Sequence, residues 1–299
     1  MDNVSQLPTA TEEFHASSGS ESHLEGLTQL CVDDLISAFG LGGTSHGRVV
    51  MESISRIPAR RLARQILTYD RIVGESGLGT GGAWALKRLS RNTSIEGQEK
   101  VPREGSLLLV SNHPGLADAV ALFAAIPRDD LSVIAAHRPF LEALPNTSRY
   151  LLTIRGTPAG RSGVVRTAAR HLRSGGAVLT FPGGRIEPDP AVLPGAVRAL
   201  DRWSSSADLF ARLTPGLEVV PVVVSGVISP SALRNPLIHL RRRRRDREWL
   251  AATLQVLVPA LRNVDARVDF GRPIHAEPGA VGEAVIKETR RLIENRETP

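Results

Sequence analysis

Ser106–Ile126, SLLLVSNHPGLADAVALFAAI, is the stretch that decides how the rest of the chain is read. It opens as a buried strand, because Leu107, Leu108, Leu109 and Val110 form a short continuous apolar run after Gly105. It closes as an apolar helix from Asp118 to Ile126, stopped by Pro127. Between them lies NHPGLAD, with His113 and Asp118 five positions apart. On a continuous helix that spacing sets two side chains about 140° apart, too far round to meet. Pro114 pushes His113 out of the helical region and Gly115 permits a tight turn, so the loop can return the Asp118 carboxylate to the imidazole. Asp118 is expected at the helix N-cap, where the backbone fixes it. A carboxylate on one imidazole nitrogen sets the tautomer and stabilises the imidazolium, and the other nitrogen is left to take a proton from a hydroxyl. This is the base-and-orienter half of a triad, without a protein nucleophile. In isolation, a loop histidine beside a capping aspartate explains the pair as well.

Composition narrows the classes. The 299 residues suit one large α/β domain with an extension, and 41% hydrophobic content can bury a sizeable core. The net charge of +6, mostly from arginine, points to a phosphate-bearing or anionic-surface partner. The single cysteine, Cys31, excludes an internal disulfide and a cysteine-cluster metal site, and the eight histidines show no paired metal-ligand spacing. No apolar run approaches the roughly 18 residues needed to cross a bilayer. No basic region followed by an apolar one stands at the N-terminus, so no signal peptide is expected. The expected location is cytoplasmic, soluble or peripheral on the inner face of the membrane.

Residues 1–24 are polar and without periodicity, which predicts a disordered tail; residues 25–92 read as an N-terminal helical region. Within it, Leu62, Ile66, Tyr69 and Val73 share one helix face, and Arg60, Arg61, Arg64 and Arg71 lie around it. A basic amphipathic helix can lie on a membrane, although packing on its own domain is the commoner arrangement. GLGTGG, at 77–82, fits the dinucleotide pattern through Gly77, Gly79 and Gly82, but it follows helical rather than strand periodicity and so predicts a helix-breaking turn.

From Thr93 the rhythm changes to alternating strands and helices, and 93–299 reads as one domain. Strands are expected at 94–97, 106–111, 131–135, 151–155, 177–181, 217–224 and 266–270, with a helix at 162–174 capped by Ser162. The fold class is therefore α/β: a mainly parallel mixed sheet of about seven strands covered by helices on both faces, with an N-terminal helical extension. Sites in such sheets gather beyond the carboxyl ends of the strands. His113, Arg155 and the loop after Phe181 all lie there.

Three further motifs carry chemistry. In FPGGRI, Gly183 and Gly184 let backbone amides face a ligand closely, and Arg185 can hold a phosphate or carboxylate; a plain strand-to-loop turn is the alternative. Arg155 ends a strand and Arg161 precedes a helix, an arrangement suited to an anion or simply to solvated charges. Arg241 to Arg245 suit anionic lipid headgroups, nucleic acid, or a solvated helix start.

NHPGLAD, the arginine of TIRG, FPGGR and VVPV stand in that order. Together they resemble the glycerophospholipid acyltransferase family, of the 1-acylglycerol-3-phosphate acyltransferase type, over roughly residues 93 to 275. The resemblance implies transfer of a fatty acyl group from an acyl-CoA or acyl-carrier-protein thioester to the hydroxyl of a lysophospholipid or glycerol phosphate. It makes His113 the general base and Asp118 its orienter. It places Asn112, Arg155, Arg161, Gly183, Gly184 and Arg185 around the substrates, and Pro221 in the fourth motif. It implies no metal and no cofactor beyond the thioester co-substrate, an anionic membrane surface as partner, and no nucleic acid. One departure stands out: the family's usual glutamate in the third motif is Gly183 here, with Glu187 close by in sequence as a substitute. That departure and the arginine-rich surface leave a second reading, a non-catalytic lipid-binding module of the same fold. A nucleotide-binding oxidoreductase rests on GLGTGG alone, and the absence of G-x-S-x-G disfavours a nucleophile-elbow hydrolase.

Overall fold

The computed structural model describes residues 10–41, 45–275 and 279–295. Eight strands run in chain order: β1 (Asn92–Glu96), β2 (Leu107–Ser111), β3 (Leu131–Ala136), β4 (Leu151–Ile154), β5 (Ala177–Thr180), β6 (Glu218–Ser225), β7 (Asp265–Phe270) and β8 (Ile274–His275). The α-helices are α1 (Ala10–Phe39), α2 (Ser45–Leu89), α3 (Asp118–Ala125), α4 (Pro139–Glu142), α5 (Pro145–Ser148), α6 (Pro158–Arg173), α7 (Ala196–Ala199), α8 (Ser206–Leu213), α9 (Pro230–Leu233), α10 (Arg244–Leu257) and α11 (Val281–Glu294). The chain divides into two compact units, Met1–Thr68 and Tyr69–Pro299.

In the first unit, α1 and the start of α2 are linked by ion pairs of Arg56 and Arg60 with Glu25, and of Arg48 with Asp33. The polar tail expected over 1–24 lies outside the described residues up to residue 9; from Ala10 the chain is helical, continuous with the helical region expected from residue 25. Cys31 is buried, and that burial, with Asp34 beside it, pushes its thiol up to about 12, so it is no nucleophile at neutral pH.

The second unit is a mixed sheet in the order β1-β7-β6-β2-β5-β3-β4, with β8 on β6. Strands β2 to β6 run parallel; β1 and β7 are parallel to each other and, like β8, antiparallel to those five. Period two is visible in β2. Leu107 and Leu109 face one layer with Leu122 of α3 and Val73, Leu78 and Leu86 of α2. Leu108 and Val110 face the other, with Leu172 of α6, Phe210 of α8 and Val285 of α11. Helices thus cover both faces, as a mainly parallel sheet requires.

Pro221 lies inside β6 rather than on an edge, and the pairing explains why it fits. β8 pairs with 218–219 and β7 with 222–225, so Pro221 falls in the gap between two partner strands, where no acceptor awaits the missing N–H. Its carbonyl points the same way and accepts from the Gly271 N–H at 2.8 Å.

The expected turn at GLGTGG shrinks to one residue. Only Gly77 leaves helical geometry, at φ 84°, and the helix resumes at once. Gly82 serves packing: a Cβ there would lie 2.8 Å from the Ala124 amide nitrogen, the Val120 carbonyl oxygen and Phe123 Cβ. It lets this end of α2 rest on the backbone of α3, the helix that carries Asp118. Gly82→Ala is expected to destabilise the fold by about 1–3 kcal/mol through this overpacking. Gly79→Ala, whose Cβ would meet only the Phe123 carbonyl at 3.5 Å, should instead gain up to about 1 kcal/mol of helix propensity. Thermal melting of the two variants reads the difference, and equal melting temperatures would contradict it.

Candidate active site

Five parallel strands bring their carboxyl ends to one rim. His113 follows β2, Arg138 follows β3, Arg155 follows β4, Phe181 follows β5 and Gly226 follows β6. His113 Nδ1 lies 2.5 Å from Asp118 Oδ2. A carboxylate only accepts, so Nδ1 carries the proton and Nε2 keeps its lone pair. The Asp118 side chain is fully buried, whereas that of His113 is 31% exposed, so the orienting acid is fixed and the ring reaches solvent. Asp118 is not the N-cap expected from sequence. Ala117 holds that position and Asp118 is the first helical residue, its Oδ1 accepting from the Ala119 N–H at 2.7 Å and its Oδ2 from Gly115 at 3.4 Å. The turn needs no left-handed backbone at Gly115 either. What fixes the carboxylate is burial together with these amides.

Burial of the His113 ring opposes its protonation. The Asp118 charge and hydrogen bond, with the Glu187 charge, outweigh that, although Arg138 pulls the other way, and the imidazole is held above its ordinary value of 6.5. The Phe181 ring packs on the imidazole with centroids 4.9 Å apart. Such a ring, oriented by a carboxylate and wet on one side, can accept a proton from a bound hydroxyl and pass it to a leaving group.

The other expected residues fare differently. Asn112 is buried and both ends of its amide are taken up by β6: Nδ2 donates to the Val224 carbonyl and Oδ1 accepts from the Val224 N–H, each at 2.8 Å. It joins two strands instead of facing a substrate. Arg155 sits at the end of the edge strand β4, three strand spacings or about 14 Å across the sheet from β2, with Glu142 at 3.8 Å. Arg161 is exposed within α6, which starts earlier than expected: Thr157, not Ser162, is the cap, accepting from the Gly160 N–H at 3.1 Å. Gly183 and Gly184 stand in the turn beyond β5, beside the ring that touches His113. Gly184 takes φ 60° and its N–H closes the turn on the Phe181 carbonyl at 3.0 Å, so that amide does not face a ligand. Arg185 is exposed on the same loop.

Three contributors, Arg138, Trp203 and Asp189, escape a linear reading, and a fourth, Glu187, is expected there only as a substitute for the third motif's glutamate. Arg138, exposed at the end of β3, is the guanidinium whose charge reaches His113; the rule that selected Arg155 applies equally to it. Glu187 is buried against the His113 backbone, and Trp203 Nε1 donates to its Oε1 at 2.7 Å. Asp189 is fully buried and accepts from four backbone amides: Ala191 at 3.0 Å, Gly226 at 2.8 Å, Val227 at 2.8 Å and Ile228 at 3.0 Å. It ties the loop after β5 to the exit of β6. Among the described residues, no group of three or more His, Cys, Asp and Glu side chains is arranged to hold a metal ion.

Residues 92–225 match the family model described as Acyltransferase. Comparison with curated proteins gives no match. Among solved structures, the chain is similar to the crystal structure of the 1-acyl-sn-glycerophosphate (LPA) acyltransferase PlsC from Thermotoga maritima. The identity is 14% and the TM-score 0.45, over 93% of this chain and 95% of that one.

Proposed function

We propose that this chain, whose residues 92–225 match the family model described as Acyltransferase, moves a fatty acyl group from an acyl-CoA or acyl-carrier-protein thioester to the hydroxyl of a lysophospholipid or glycerol phosphate. The observation that carries the reading is the 2.5 Å contact of His113 Nδ1 with the buried Asp118, on a ring that still reaches solvent.

His113 Nε2 takes the proton of the acceptor hydroxyl as its oxygen attacks the thioester carbonyl. The new C–O bond forms a tetrahedral intermediate, and its collapse breaks the C–S bond. The imidazolium, stabilised by Asp118, returns the proton to the departing thiolate. Each proton and electron pair is accounted for by the two substrates and one imidazole, and the reaction as written asks for no prosthetic group. Proton transfer of this kind is worth about 10²–10⁴-fold, and holding two substrates together adds to it. The test is release of free thiol from palmitoyl-CoA dependent on an added acceptor, with the lipid product identified by mass. Thioester that stays intact with every phosphate-bearing acceptor in the panel would reject the reading.

A membrane-borne acceptor fits one surface of the second unit. Leu237 and Leu240 lie one turn apart on the 3₁₀ helix Pro236–Leu240 and are 44% and 64% exposed, beside the exposed Arg242, Arg243 and Arg245. Arg241 and Arg244 are paired with Asp246 and Glu248, whereas no ion pair of the other three is found among the described residues. Among the described residues, no helix is long and apolar enough to cross a membrane. Each arginine near an anionic surface contributes about 1 kcal/mol. Neutralising Arg242, Arg243 and Arg245 to glutamine should therefore weaken binding to phosphatidylglycerol vesicles by about 100-fold at low salt. Sedimentation with the vesicles measures it, and undiminished binding would exclude this surface.

A further inference from the structure

We propose that Glu187 is the positioning residue of His113, and that position 183 is glycine because the Glu187 carboxylate fills the space a side chain there would need. This rests on the reading of His113 as the base. Glu187 holds His113 by its backbone from both sides. The His113 N–H donates to Glu187 Oε2 at 3.1 Å, and the Glu187 N–H donates to the His113 carbonyl at 2.8 Å. The second carboxylate oxygen is fixed by the Trp203 indole at 2.7 Å. Both oxygens are therefore engaged, on a residue only 6% exposed, and the imidazole hangs from a backbone clamped at both of its polar groups.

Gly183 completes the arrangement. A Cβ built there would stand 2.6 Å from Glu187 Oε1 and 2.8 Å from its Cδ, closer than real atoms approach. Gly183 is not among the glycines with positive φ, so its backbone would accept alanine, and only the carboxylate is in the way. Any side chain at 183 must push Glu187 off Trp203 and off the His113 amide. The charged groups acting on the imidazole are Asp118 from α3, Glu187 from the loop after β5 and Arg138 from the end of β3. Removing the Glu187 charge leaves one carboxylate and one guanidinium there, so the imidazole should titrate lower.

The test uses the full chain, palmitoyl-CoA and 1-oleoylglycerol 3-phosphate in mixed micelles, with His113 titrated by NMR in the absence of substrate. Glu187→Ala should lower kcat by about 100-fold with little change in KM, the loss a displacement of the base of about 1 Å produces. Glu187→Gln keeps the shape and should recover part of kcat, while the His113 titration still moves to lower pH. Gly183→Ala should lower kcat in the wild-type chain and cost nothing further beside Glu187→Ala. Wild-type kcat and titration in Glu187→Ala would overturn the proposal, as would an equal cost of Gly183→Ala in both backgrounds. Should Glu187→Ala fail to fold, Gly183→Ala alone decides, because it displaces the carboxylate without deleting it; unchanged kcat there counts against the proposal. If the wild-type chain transfers no acyl group to this acceptor, the functional reading fails separately, and the titration still reports on Glu187.

Discussion

His113→Ala is expected to lose about 10²–10⁴-fold in kcat while its melting temperature stays close to that of the wild type. The ring is partly exposed and carries no part of the core, so its removal leaves little unsatisfied except Asp118. That carboxylate keeps the Ala119 and Gly115 amides as partners. Asp118→Asn should fall in the same range for a different reason: it keeps the volume but cannot stabilise an imidazolium. The pH profile separates the two. The base must be neutral to accept a proton, and its carboxylate neighbours hold it above 6.5, so wild-type activity should rise through a midpoint above that value. In Asp118→Asn the residual activity should rise at lower pH, since the main stabiliser of the protonated ring is gone. A stable His113→Ala variant with wild-type turnover, or an acid limb unmoved in Asp118→Asn, would remove the base from the mechanism.

Why some of this was readable in one dimension follows from where each contact lies. The pair in NHPGLAD is local, so a proline and five residues of spacing are enough to foresee it. The strands were legible because buried parallel strands are short apolar runs, and β2 to β6 carry little else. Two-residue β8 is too short to leave a pattern. Contacts across strands were not legible. The resemblance places Asn112 near the substrates, yet its amide answers Val224 more than a hundred residues on. Arg155 and Arg138 look alike in sequence; the order β2-β5-β3-β4 puts Arg155 at the far edge, and the charge of Arg138, one strand nearer, reaches His113. The glycine at 183 read as a missing acid, and three-dimensional packing shows an acid filling its place from four residues away.

The largest effect on stability is expected at Asp189, a residue with no sequence signal beyond lying between two prolines. Its carboxylate is fully buried and accepts from four backbone N–H groups, two on each oxygen. Three of those amides, at Gly226, Val227 and Ile228, form the exit of β6, and a Cβ on Gly115, in the loop between His113 and Asp118, would rest 3.5 Å from Val227 and Ile228. Asp189→Ala orphans all four donors. Each unmade bond costs about 1–3 kcal/mol when water cannot replace the acceptor. Water entering the space left by the carboxylate restores some, so a net loss of about 3–5 kcal/mol is expected, at the upper end for single substitutions. For a unit of this size that lowers the melting temperature by about 10 °C or more. Asp189→Asn should be nearly as harmful, because its amide nitrogen then faces two N–H donors that an oxygen had accepted. Glu187→Gln, which keeps an acceptor for Trp203 or His113, should cost far less. Activity of Asp189→Asn measured well below its transition should also fall, since the loop bearing His113 loses its neighbour's fixed shape. Melting within a degree or two of wild type for Asp189→Asn would mean the β6 exit is held by something other than this carboxylate, and the loop carrying the base would then need another support.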